Sequence, residues 1–120
     1  MPAVRYIVSD IAESVTFYRD RLGFGVDIDR SPQFAALSRE GLTLYLNVPG
    51  AGSAGKAGGH PEPGGWNRFQ IETGNLDKTI DDLRGNGASF RGDIAEGAGG
   101  RQILLLDPSG NVVELFEPAA

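Results

Sequence analysis

Asp107-Pro-Ser-Gly-Asn-Val-Val-Glu-Leu-Phe-Glu117 is the stretch from which the fold is read. Its opening residues have the composition of a tight turn: Pro108 pre-sets φ at the second turn position, and Gly110 and Asn111 tolerate positive φ. A short strand rich in β-branched and aromatic residues follows, and Pro118 closes it. Glu114 is out of place there. Alternation puts it on the same face as Val112 and Phe116. A carboxylate on an apolar strand face is costly unless it is paired, hydrogen-bonded or bound to a metal. What Glu114 meets is therefore the functional question.

Upstream, Val4 to Val8 reads as a strand and Ser9-Asp10 as an N-cap. Ile11, Val15, Tyr18 and Leu22 then fall on one helical face, and Gly23 stands where a helix ends in a left-handed residue. Phe24 to Ile28, Phe34 to Leu37 and Leu42 to Asn47 read as strands, with turns at Ser31-Pro32 and Glu40-Gly41. Residues 49–65 hold seven of the 18 glycines and three of the seven prolines. Such a run holds no packed core and reads as a connector or a lid, long for a compact domain. The pattern then restarts: a strand from Trp66 to Glu72, a helix through Leu76, Ile80 and Leu83 ending at Gly85-Asn-Gly87, and strands at Ala88 to Arg91, Gln102 to Leu106 and the closing stretch.

The halves superimpose at a spacing of about 65 residues. Ile11, Ser14, Val15, Tyr18 and Arg19 fall on Leu76, Thr79, Ile80, Leu83 and Arg84, and the turn Arg39-Glu-Gly41 falls on Pro108-Ser-Gly110. That places Tyr45 opposite Glu114.

Composition bounds the function. A chain of 120 residues makes one domain, read as module 1 at about 1–48, the connector at 49–65 and module 2 at about 66–120. Without cysteine there is no disulfide, thiolate metal site or cysteine nucleophile. A net charge of −5 argues against nucleic acid as a partner. There is no secretory signal and no apolar run long enough to span a membrane, so a cytoplasmic location is expected. No phosphate loop or Ser/His/Asp arrangement is visible; Gly97 to Gly100 lacks the lysine and helix a phosphate loop needs.

Val8-Ser-Asp-Ile-Ala-Glu-Ser-Val-Thr-Phe-Tyr-Arg-Asp-Arg-Leu-Gly-Phe24 resembles the first helix motif of the vicinal oxygen chelate superfamily, which includes glyoxalase I, bleomycin resistance proteins and extradiol dioxygenases. Asp107 to Glu117 resembles its closing motif. The resemblance implies an α+β fold of two tandem β-α-β-β-β modules forming a cupped, curved sheet around a cavity, with a homodimer as the common assembly. In metal-dependent members the cavity holds a divalent ion on His, Gln or Glu, from the first and last strand of each module. Counted from the motifs, those positions are Ala3, Tyr45, Trp66 and Glu114. Alanine has no donor atom, indole nitrogen only donates, and a phenol is a rare ligand for such ions. One carboxylate does not hold a catalytic metal, so no metal and no cofactor are expected.

The resemblance then points to the drug-binding branch, in which aromatic side chains line the cavity. The expected partner is a small, planar or aromatic molecule. Its contacts would be Tyr45, Trp66 and Phe116 as walls, with Arg5, Arg68, Glu114, Asn47 and Gln70 as polar groups. Plainer readings stand beside this one: Glu114 paired with Arg5 or Arg68, and Tyr45 and Trp66 as core. Phe17, Tyr18, Leu22, Phe69 and Leu115 read as core, and His60 as solvent-exposed. The alternative function is a lyase, isomerase or dioxygenase with an atypical metal site or with Glu114 as general base.

Overall fold

The computed structural model describes residues 2–51 and 59–120. The element order is β1 (Ala3–Ile7), α1 (Ile11–Leu22), β2 (Gly25–Arg30), β3 (Phe34–Arg39), β4 (Leu42–Asn47), β5 (Arg68–Glu72), α2 (Leu76–Gly85), β6 (Ser89–Gly97), β7 (Gly100–Leu106) and β8 (Val112–Pro118). The fold is α+β. The chain divides into two units, Met1–Gly64 and Gly65–Ala120. Each is a β-α-β-β-β module with one four-stranded mixed sheet, ordered β1-β4-β3-β2 in the first and β5-β8-β7-β6 in the second. Of the connector expected at 49–65, and of the lid function expected for it, residues 52–58 lie outside the described residues. Among the described residues no helix is long and apolar enough to cross a membrane.

The repeat is visible atom by atom at the helix starts. Asp10 caps α1 by accepting from the Glu13 amide at 2.9 Å, and Asn75 caps α2 by accepting from the Lys78 amide at 3.1 Å. One turn in, the Ser14 hydroxyl donates to the Asp10 carbonyl at 2.7 Å, and Thr79 donates to the Asn75 carbonyl at 3.0 Å. Short polar side chains at the cap satisfy amides that the helix itself leaves without acceptors. The C-termini differ. Gly23, at φ 74°, ends α1 in the left-handed region, whereas α2 ends at Asn86 in ordinary backbone with Gly87, at φ 85°, just behind it.

Each helix lays one apolar stripe on one face of its own sheet. Ile11, Val15, Tyr18 and Leu22 are buried with Leu37, Leu44 and Leu46; Leu76, Ile80 and Leu83 are buried with Phe69, Ile71, Ile103, Leu105, Val113 and Leu115. Each such side chain contributes about 1.5–3 kcal/mol relative to exposure. Phe17 is only half-buried, edge-on to Tyr18 at 5.1 Å between ring centroids, because it lies off the centre of that stripe. Period-two alternation leaves the other face of each sheet to polar and aromatic side chains.

Module 2 is tied together by two further devices. The Asp107 carboxylate, 4% exposed, accepts from the amides of Ser109 at 2.9 Å and Asn111 at 2.8 Å and from the Asn111 side chain at 3.1 Å. This closes the turn into β8. At the far end of β8, Glu117 accepts from the Leu76 amide at 2.8 Å, which anchors the start of α2, and Arg101 bridges Glu117 and Asp77.

The second module's first strand begins at Arg68, two residues later than the expected Trp66. Arg68 pairs with Val112, the first residue of β8, and before Val112 the chain turns away through Asp107–Asn111. Trp66 therefore has no strand to pair with. The strand expected at Ala88 to Arg91 extends to Gly97, with a register shift between Arg91 and Ala95 across from β7.

Asp107→Ala leaves two turn amides without their acceptor in a buried site and should destabilise the protein by about 2 kcal/mol, read as a lower urea midpoint. Asp107→Asn, which keeps one acceptor oxygen, should lose clearly less. Equal losses would contradict the acceptor role assigned here.

Candidate functional site

In unit 1 the parallel pairing of β1 with β4 sets Arg5 beside Tyr45 and Ile7 beside Asn47. Leu44 and Leu46 point to the helix side and are fully buried, so Thr43, Tyr45 and Asn47 take the opposite face. There the Arg5 Nη1 donates to the Asn47 Oδ1, and the guanidinium lies over the Tyr45 ring at 5.1 Å. Phe34, across from Asn47 on β3, brings its ring to 5.8 Å from that of Tyr45, tilted by 38°. Ala36, directly across from Tyr45, adds only a methyl to this face. Asn47 is 3% exposed, so its amide is fixed in place, while Arg5 reaches into solvent.

In unit 2 the equivalent pairing sets Gln70 beside Glu114 and Arg68 beside Val112. Glu114, 9% exposed, accepts from Arg68 Nε at 2.9 Å through Oε1 and from Gln70 Nε2 at 2.7 Å through Oε2. Its charge is thus matched by a guanidinium, as a carboxylate so enclosed requires. Phe116, two residues on, has the tip of its ring against Gly100. A Cβ at Gly100 would meet that ring at 3.0 Å and the Glu117 carbonyl at 2.2 Å, and its φ of 148° favours glycine as well. No other residue fits at position 100.

Trp66 stands apart from Glu114's partners. It is 68% exposed, and the Arg91 guanidinium lies 4.1 Å from its ring centroid while Arg91 Nη1 donates to the Gly65 carbonyl at 3.0 Å. His60 is exposed. The Arg19 hydrogen bond holds the Asp20 carboxyl below its ordinary value, the Ser31 hydroxyl and amide do the same for Asp29, and Asp77, then Glu117, raise Arg101.

The N-caps fix which residues occupy the metal-ligand positions. Seven residues before Asp10 is Ala3, and seven before Asn75 is Arg68, so the second-module position assigned above to Trp66 belongs to Arg68. The set becomes Ala3, Tyr45, Arg68 and Glu114. A guanidinium has no lone pair to give a metal, and both oxygens of Glu114 already accept hydrogen bonds. The donors present do not fit a divalent ion. Among the described residues no group of three or more His, Asp or Glu side chains is placed to hold one.

The chain belongs to the glyoxalase/bleomycin resistance protein/dioxygenase superfamily, whose family model matches residues 1–115. Similar solved structures include TnmS3, an antibiotic binding protein from Streptomyces sp. CB03234, at 24% identity and TM-score 0.72, covering 98% of this chain and 93% of that one. A lactoylglutathione lyase from Agrobacterium tumefaciens is similar at 19% identity and TM-score 0.78, covering 98% and 92%. The bleomycin-binding protein of Streptomyces verticillus, solved with copper(II)-bleomycin, is similar at 19% identity and TM-score 0.64, covering 98% and 95%. At these identities the likeness is one of fold. No curated protein matches the chain in sequence.

Of the residues expected to meet a ligand, the structure groups Arg5, Tyr45 and Asn47 on one sheet, and Arg68, Gln70 and Glu114 on the other with Phe116 beside them. Two participants escape a reading of the sequence. Phe34 is signalled by alternation in β3, where Phe34, Ala36 and Ser38 share the face of Tyr45. Arg91 carries no such signal, because its contact with Trp66 depends on the path of Gly64 and Gly65, both at positive φ.

Two outcomes check this geometry. Glu114→Ala strips Arg68 and Gln70 of their acceptor and should lower stability by about 1–3 kcal/mol, with Arg68→Ala adding much less on top of it in a double-mutant cycle. Trp66 is the single tryptophan, so acrylamide should quench the protein's indole emission nearly as efficiently as that of free tryptophan. Strong protection would place the ring elsewhere.

Proposed function

We propose that the chain is a metal-independent binding protein for a small planar molecule, of the drug-sequestering kind. The observation that carries this is the replacement of metal-donor chemistry by a ring-and-cation surface: Tyr45 stands at a ligand position, flanked by Phe34 and held under Arg5, with Asn47 fixing the guanidinium. Flat rings with a few oriented polar groups suit stacking and water exclusion and supply no group for bond making. On unit 2, Arg68, Gln70 and Phe116 extend the same chemistry, and the Trp66–Arg91 pair adds an exposed ring. The antibiotic-binding and bleomycin-binding proteins among the similar structures favour this branch. Antibiotic sequestration in the cytoplasm, by a homodimer, completes the reading.

The lyase neighbour supports a second reading, an enzyme using Glu114 as general base. Against it stand the two hydrogen bonds that occupy both oxygens of that carboxylate.

Calorimetric titration of the purified protein with zinc, nickel, manganese and iron(II) should give no specific binding. Planar aromatic probes should bind without being consumed, and Tyr45→Ala should weaken them about tenfold through lost stacking and area. One tightly held divalent ion per chain that Glu114→Gln abolishes would overturn the proposal and restore the enzyme. Sedimentation at micromolar concentration tests the dimer.

A further inference from the structure

Comparing the two modules residue by residue exposes a charge imbalance. The strand pairings make Arg5 the counterpart of Gln70 and Tyr45 the counterpart of Glu114. In module 2 the cation on the first strand, Arg68, meets a carboxylate on the last strand at 2.9 Å. In module 1 the corresponding place on the last strand is a tyrosine ring, and the acceptor that holds Arg5 is the neutral amide of Asn47. Arg5 takes part in none of the ion pairs among the described residues. The acids of β2 do not compensate it: they stand on the opposite edge of the sheet from β1, Asp29 is occupied by the Ser31 amide and hydroxyl, and Asp27 lies at the register shift between Val26 and Ile28. Across the sheet, Arg30 pairs with Phe34 and adds positive charge rather than removing it.

We infer that the unit 1 face of Arg5, Tyr45, Asn47 and Phe34 selects a planar molecule bearing an anionic oxygen group, such as a carboxylate or phenolate. The ligand supplies in module 1 the negative charge that Glu114 supplies in module 2. Asn47 occupies one Nη of Arg5 and orients the guanidinium plane, leaving other N–H groups to make the charge-assisted, two-pronged hydrogen bonds that a carboxylate accepts. The ring of the ligand lies against Tyr45 and Phe34, whose centroids are 5.8 Å apart. Selection runs opposite to what the overall charge of −5 suggests, because short-range pairing at the site outweighs a diffuse field screened within about 10 Å at 0.1 M salt.

This inference rests on the reading of that face as a ligand platform, and one experiment separates the two. Three probes of the same ring system are titrated calorimetrically: 2-naphthoate, 2-naphthamide and 2-(aminomethyl)naphthalene. The expected result is that 2-naphthoate binds about tenfold or more tighter than the amide and that the ammonium probe binds weakest. In Arg5→Gln, whose exposed position leaves folding intact by thermal melt, that order should collapse to near equality. Equal binding of all three to the unmodified protein overturns the anion selectivity and leaves the platform standing. A preference for naphthoate that survives Arg5→Gln overturns the assignment to Arg5. Binding of none of the three overturns the platform itself.

Discussion

Everything at the candidate site depends on the parallel pairing of the first strand of each module with its last. Arg5 and Tyr45 are 40 residues apart in sequence, and Arg68 and Glu114 are 46 apart, yet each pair shares one sheet face. A parallel pair needs a long crossover. Here the helix and two intervening strands provide it. The helix covers one face, so the apolar residues of the strands must point toward it, and the chemistry is left to the other face. The polar face is thus a consequence of where the helix packs.

That face has been filled in two ways. In module 2 it is closed on itself: a carboxylate, a guanidinium and an amide satisfy one another. In module 1 a ring replaces the carboxylate and the guanidinium remains open. Equivalent faces are thus paired carboxylate to guanidinium in one half, and amide and ring to guanidinium in the other. Neither set presents the donors of a metal centre, which separates this chain from the metal-dependent pattern of its superfamily.

Much of the architecture was legible because local signals and global repeat agreed. Ser9-Asp10 announces the start of the first helix, and the stripe of Leu76, Ile80 and Leu83 announces the second, 65 residues on from that of Ile11, Val15 and Tyr18. Glu114 was legible as an anomaly on an apolar strand. What failed was the register at the start of β5. The motifs put the second first-strand position at Trp66, whereas the cap at Asn75 puts it two residues on, at Arg68, where β5 begins. A strand's first residue is set by where its partner starts, here at Val112 after the Asp107 turn, and no local property of Trp66 encodes that. The Trp66–Arg91 contact was illegible for the same kind of reason, since it depends on the conformation of two glycines.

Gly100 bears on the motion of its neighbour as well as on shape. With no Cβ there, the hairpin between β6 and β7 closes directly on β8, and the Phe116 ring is pressed against it. The rotational freedom of that ring is surrendered when the protein folds. A molecule arriving at Phe116 meets a surface whose entropy has already been lost, so less of its contact energy is cancelled by ordering the wall. A larger residue at position 100 would push the hairpin away and free the ring, shifting that loss from folding to the moment of contact.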